Sequence, residues 1–178
     1  MIYSWICGHR KILRIILGIL VIIVFLGPYL WTFGWHLTHS KTVNLSGYQI
    51  TIPDNFFKVS GESGIQLLHV RAVFSYPRFW ELSMITIAKK PGTADINKLD
   101  WESMGNEYRK EGKNVNTFKV NLAGTEGECM RIVPKNIQED PVSTSCLNSN
   151  GLLIGYEGDG SDEDEYRLFM LNDLEISK

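Results

Sequence analysis

At 178 residues the chain has room for one ordinary domain and an anchor, which argues against two full domains. Its 44% hydrophobic content is uneven, with a dense apolar block before residue 38 and an ordinary soluble mixture after it. Charge divides the same way: Arg10, Lys11 and Arg14 are the only formal charges in the first 40 residues, whereas from Lys41 onward 15 basic residues face all 20 carboxylates, a net charge of −5. An acidic domain with no basic stripe lacks the cations that neutralise phosphates, so nucleic acid is set aside as a partner.

Taken in chain order, the first predicted element is a helix over 15–35, IILGILVIIVFLGPYLWTFGW, which carries no formal charge. At 1.5 Å per residue it is about 31 Å long, matching a hydrocarbon core of about 30 Å. Inside lipid, backbone amides must be satisfied within the segment, so the run is expected to be helical, with Pro28 as a kink. Basic residues precede the run, while only His36, His39 and Lys41 follow it closely. The positive-inside rule therefore predicts a cytoplasmic N-terminus and an extracytoplasmic C-terminal part. Tyr29, Trp31, Phe33 and Trp35 crowd the distal end as expected for an aromatic belt. The competing reading is a cleaved signal peptide with an apolar core from Ile15 to Leu26. It is disfavoured because no A-x-A pattern appears before Thr38 or Ser40. No cysteine directly follows the run, as a lipoprotein anchor requires, and Cys7 is read as an unmodified thiol. The predicted organisation is a cytoplasmic segment at 1–14, a transmembrane helix at 15–35, a short linker at 36–40 and an extracytoplasmic domain at 41–178.

Within the domain, Val43, Leu45, Ile50 and Ile52 alternate with polar neighbours around Ser46-Gly47, which predicts a hairpin. Phe56, Phe57 and Val59 then add apolar weight before the Gly61-Glu62-Ser63-Gly64 loop. Strands are expected at 66–74 and 79–89, separated by Ser75-Tyr76-Pro77. Residues 95–111 change period: Ile96, Leu99, Met104 and Tyr108 recur at helical spacing, with Gly112 poised as a C-terminal cap. Four more strands follow at 115–122, 126–133, 142–147 and 151–157. The fold class expected is α+β: a transmembrane helix, then an antiparallel sheet flanked by one or two helices.

Cys129 and Cys146 fall on adjacent predicted strands. In hairpin register, pairing them also pairs Arg131 with Thr144 and Val133 with Val142, leaving Pro134 to Pro141 as the loop, so a disulfide is expected outside the cytoplasm. A bridge closing a loop of this length stabilises a fold by roughly 3 kcal/mol. The acidic run from Glu157 to Glu165 suggests calcium, but its spacing is not that of an EF-hand loop. A helix start with Ser161 as N-cap is the stronger reading, supported by the stripe Tyr166, Phe169, Met170 and Leu174. The aromatic segment Phe74 to Trp80 would form either a binding or membrane-facing surface or part of the core. Core is favoured, because Phe79 and Trp80 lead into an apolar strand.

No catalytic residue is assigned. Ser63 lacks the G-x-S-x-G spacing, and His69 is the only histidine inside the domain. No metal ligands, cofactor site or phosphate-cradling loop are expected. Asn44-Leu45-Ser46 is a glycosylation sequon, relevant only in a host that glycosylates exported proteins.

The opening Gly47-Tyr48-Gln49-Ile50-Thr51-Ile52-Pro53, the helix at 95–111 and the strands leading to an apolar C-terminal segment resemble the PsbP-like family, which includes bacterial DcrB-type envelope proteins. That resemblance implies an antiparallel sheet flanked by helices that serves binding or assembly rather than catalysis. The chain departs from the lipidated members in lacking their anchor cysteine, and no binding residue of the family transfers to it. The function expected is a non-enzymatic, membrane-tethered module of the cell envelope. Its expected partners are the lipid bilayer and either an envelope protein or a small ligand. Two alternatives stay open: an envelope hydrolase assembled around His69 and a nearby carboxylate, and an immunity- or inhibitor-type protein at the outer face of the membrane.

Overall fold

The computed structural model describes residues 2–60, 64–75, 78–89, 100–122, 124–136, 141–158 and 175–177, with side chains apart from those of residues 2–10, 60, 72–75 and 78–79. The architecture is α+β: a long apolar helix leads into antiparallel sheets and a second helix. Helix α1 runs Ile2–Thr38, so it begins before the basic cluster. It also absorbs residues 36–38 of the expected linker, leaving only His39 to Lys41 before the first strand. Pro28 sits inside it without ending it.

Strands β1 (Thr42–Leu45) and β2 (Tyr48–Thr51) form the predicted hairpin. Ser46 and Gly47 both adopt positive φ, 49° and 87°, the handedness that a two-residue turn between twisted strands requires. The two-residue strand β10 (Ile176–Ser177) joins the other edge of β2 and completes a three-stranded sheet, β1-β2-β10.

Among the described residues the larger sheet has seven strands. In chain order these are β3 (Phe57–Ser60), β4 (Ile65–Ser75), β5 (Arg78–Lys89), β6 (Asn114–Leu122), β7 (Thr125–Val133), β8 (Val142–Asn148) and β9 (Leu152–Gly158). Their spatial order is β3-β4-β5-β9-β8-β7-β6, antiparallel throughout. Registers align Cys129, Cys146, Ile154, Ile87 and Ile65 in one row across five strands. All five are buried and share a hydrophobic cluster with Tyr48, Ile50 and Ile52 of the small sheet and with Phe56. Period-2 alternation thus delivers one face of the large sheet to a core roofed by β1 and β2.

Cys129 and Cys146 are directly opposite and joined by a disulfide, and the same register sets Arg131 opposite Thr144 as expected. At the β8–β9 turn the buried Asn148 accepts from the backbone amides of Asn150 and Leu152 and donates to the Leu122 carbonyl, closing that end of the sheet.

Helix α2 (Trp101–Lys110) occupies the C-terminal part of the predicted 95–111 helix, and residues 95–99 lie outside the described residues. Asp100 caps it by accepting from the Ser103 amide at 2.9 Å. At the other end, Gly112 (φ 82°) donates to Arg109 O and Lys113 donates to Tyr108 O, a Schellman pair that ends the helix where its glycine stands. The acidic run beyond Gly158 and its stripe from Tyr166 to Leu174 also lie outside the described residues.

Candidate functional site

Residues 11–23 of α1 are exposed on every side, whereas the upper part of the helix is covered along one stripe. That stripe comprises Val24, Phe25, Pro28, Thr32, Trp35 and His36, recurring at spacings of three and four residues, and β4 and β3 pack on this side of the chain. Thr32 is 7% exposed and its hydroxyl donates to Pro28 O. Trp35 packs against the hydrophobic core, so it is not simply an interfacial belt residue. Tyr29, Trp31 and Phe33 remain largely exposed.

Among the described residues, polar contacts of His36 and Trp80 fasten the helix to the domain. His36 Nε2 lies 2.8 Å from Phe56 O. A carbonyl only accepts, so Nε2 carries a proton toward it, while Nδ1 is buried with no hydrogen-bond partner among the described residues. Further down, Trp80 Nε1 donates to Val24 O at 3.0 Å. That carbonyl is the acceptor that an amide at position 28 would normally take, and proline has no amide to give. The indole therefore supplies the donor that Pro28 removed. Trp80 is 49% exposed, so the expectation that the Phe74–Trp80 segment fills the core fails for its last residue: the ring leaves the sheet to reach the helix. The side chains of Phe74, Tyr76 and Phe79 lie outside the described residues.

Between the stripe and the domain lies a cavity of about 510 Å³, lined by Tyr29, Phe33 and His36 from the helix and by Lys41, Asp54 and His69 among others from the domain. Its floor is apolar and aromatic, while its roof is polar. The Lys41 ammonium sits 2.7 Å from Asp54 Oδ1. Its hydrogen bond and then its charge hold the Asp54 carboxyl below the ordinary carboxylate range. Both side chains are mostly exposed, so this ion pair is weak. His69 is nearly buried, with its ring 5.2 Å from that of Phe56.

A second cleft, about 660 Å³, lies between α2 and the other face of the large sheet. Met84, Met104, Met130, Trp101 and Tyr108 line it, giving adaptable thioether and aromatic surface. No group of three or more His, Cys, Asp or Glu among the described residues is placed to hold a metal ion. Asn44 of the sequon is exposed on β1, an edge strand. Ser63 lies outside the described residues.

The structure thus brings His69, expected alone on a strand, to the same cavity as His36 and Asp54. Trp80 and the Val24 carbonyl are a contact of the site that sequence reasoning missed. A signal for them exists, because a proline within a helix leaves the carbonyl four residues earlier in need of a donor. No protein-family model matches the chain, and no curated protein matches it.

Proposed function

We propose that the protein is a membrane-anchored binding or assembly module of the cell envelope, without enzymatic activity. In this reading α1 crosses the membrane once with its N-terminus in the cytoplasm, and the domain lies on the periplasmic or extracellular side. The observation that carries the proposal is the one-sided covering of α1. A domain fastened to its own anchor by Trp35, His36 and Trp80 has a fixed orientation relative to the bilayer, as an assembly surface needs and a freely tethered domain lacks. Helix α1 is long and apolar enough to span, and its basic residues precede the apolar stretch. The resemblance to PsbP-like envelope domains, which usually serve as binding or assembly modules, supports the same reading.

The cleft beside α2 is the surface offered to an envelope protein or small ligand, since apolar concavity with a few polar groups is where ligands collect. A photocrosslinking amino acid at Met104, 38% exposed on that cleft, tests the reading in living cells. A discrete adduct with an envelope component, absent when the same group replaces Asn116 on β6, is the expected result. Equal, diffuse labelling from both positions would overturn it.

A hydrolase reading draws on one observation, the shared cavity of His36, His69 and Asp54. It requires His69→Ala to abolish turnover of an ester or amide substrate panel, whereas the binding reading predicts no turnover in either protein.

A further inference from the structure

The two edges of the large sheet are unlike. Strand β3 has four residues and α1 packs beside it, whereas β6 has nine, Asn114–Leu122, with no proline and an unbroken register against β7. Short, bulged or covered edges discourage pairing with another chain, and a long regular edge invites it. Which groups β6 turns outward follows from its hairpin. Leu122 and Thr125 pair across a two-residue connection, so they exchange hydrogen bonds, and alternation commits the even-numbered residues of β6 to β7. The N–H and C=O groups of Val115, Thr117, Lys119 and Asn121 therefore face away from the sheet. Val115 O accepts a long contact of 3.4 Å from the Arg109 guanidinium, and among the described residues the other outward groups have no partner. Space is open beside them: a cavity of about 450 Å³ is lined by Thr117, Phe118 and Lys119 of the edge and by Trp101, Glu102 and Arg109 of α2.

A row of outward donors and acceptors is matched by another extended backbone, and β6 is complementary to itself. We infer that β6 is a dimerisation edge: two copies of the chain pair their β6 strands antiparallel about a two-fold axis at Phe118 and join their large sheets into one. In this register Asn114 opposes Leu122 of the second copy and Thr117 opposes its Lys119, so the whole strand pairs and every outward group is used. Phe118 lies opposite Phe118 of the second copy in a non-hydrogen-bonded pair, where side chains approach most closely. It is half-buried against the hydrophobic core, opposite Cys129, and its symmetry mate covers the remainder as an aromatic pair. Moving the axis to Lys119 sets two ammonium groups face to face, and moving it to Thr117 leaves Asn121 and Leu122 outside the paired strands.

The symmetry also suits two anchors in one bilayer. Strand β4 runs alongside α1, because His69 and Val70 share a cavity with Thr32 and His36, while Trp80, opposite Ala72, reaches Val24. Five strand-to-strand steps lead from β4 to β6, and at about −20 to −25° per step the strand direction turns through roughly 100–125°. Strand β6 is therefore steeply crossed with α1, and the local normal of the sheet, along which the two-fold axis runs, comes close to the helix direction. Rotation about that axis keeps both α1 helices parallel, with their basic residues Arg10, Lys11 and Arg14 on the same side. Self-association through β6 is a property beyond the proposed binding role, and the cleft lined by Met84 and Met104 takes no part in it.

The test uses the full oxidised chain with Cys7→Ser in detergent micelles. Sedimentation equilibrium should give twice the chain mass. Thr117→Pro removes one outward donor and leaves the β7 ladder intact, so it should raise the dissociation constant of the dimer at least about tenfold. If that variant does not fold, cysteine pairs decide. Copies carrying Thr117→Cys mixed with copies carrying Lys119→Cys should form an intermolecular disulfide several-fold faster than either variant alone, since the register sets these positions opposite each other. A photocrosslinking group at Asn116 should likewise give an adduct of twice the chain mass, distinct from an adduct with an envelope component at Met104. A chain that sediments as a monomer throughout overturns the dimer, and a dimer whose mixed cysteines react no faster than the separate ones overturns β6 as its edge. Neither result touches the Met104 adduct, so failure here and failure of the binding role are told apart.

Discussion

The two halves of α1 have similar residues and different surroundings. From Ile12 to Ile23 every side chain is exposed, whereas from Val24 to Thr38 a stripe of the helix belongs to the folded domain and the opposite side does not. Hydropathy treats the whole stretch as one membrane segment. The difference shows that apolar length alone does not say what solvates a helix: lipid and protein core select the same side chains, and only the spacing of Pro28, Thr32 and His36 marks the side that meets protein. The domain is consequently an extension of α1, with polar contacts at two levels of the helix.

Substitutions that split the two environments break or sharpen this comparison. The largest effect is expected at Trp35, packed against the core. Trp35→Ala should destabilise the domain by about 3 kcal/mol, while Trp31→Ala, 66% exposed four residues away, should change it by less than about 0.5 kcal/mol. Urea unfolding in detergent micelles reads both, and equal effects would erase the distinction between the helix faces. Removing the disulfide by Cys129→Ser with Cys146→Ser should cost roughly 3 kcal/mol, because the domain on which the stripe docks loses its staple. That double variant should nevertheless keep α1 docked, as judged by crosslinking cysteines introduced at Phe33 and Val70, which line the helix–domain cavity and make neither fastening contact.

Lys41 and Asp54 sit at the rim of the helix–domain cavity and should have the smallest effect. The Asp54 carboxyl is held below its ordinary range, so its stabilising contribution is present above the unfolded carboxyl pKa and disappears as the pH falls through the lower folded value. Solvent screening at this exposed pair limits it to less than about 0.5 kcal/mol. Asp54→Asn should therefore lower stability slightly near neutral pH and not at all at strongly acidic pH. A loss that persists in acid would mean that Asp54 acts through something other than charge.

Much of the domain was legible from residue pattern. Period-2 alternation located nearly every strand, and hairpin register around Cys129 and Cys146 fixed both the disulfide and its neighbouring pairs. Gly112 marked the end of α2 because only a residue at ease with positive φ can make that turn. Strand β3 was visible only as apolar weight, since four residues carry too little periodicity to distinguish a strand from a loop, and the two residues of β10 carry none. The placement of β9 beside β5 is a long-range pairing that no local signal encodes.

The candidate site was the least legible part. His36 was read as a membrane flank and Trp80 as core, because each meets its partner across 20 and 56 residues of chain respectively. The kink residue Pro28 was noticed, but its orphaned carbonyl is the feature that determines what must lie beside it.

The most direct test of the account is a double-mutant cycle on Pro28→Ala and Trp80→Phe, measured by urea unfolding in micelles. With proline in place, Trp80→Phe leaves Val24 O without its donor and should cost about 1–3 kcal/mol. With alanine at 28, the helix supplies its own amide to that carbonyl, and the same Trp80→Phe change should cost at least about 1 kcal/mol less. Additive effects, agreeing within about 0.5 kcal/mol, would contradict the claim that the indole replaces the amide removed by the proline.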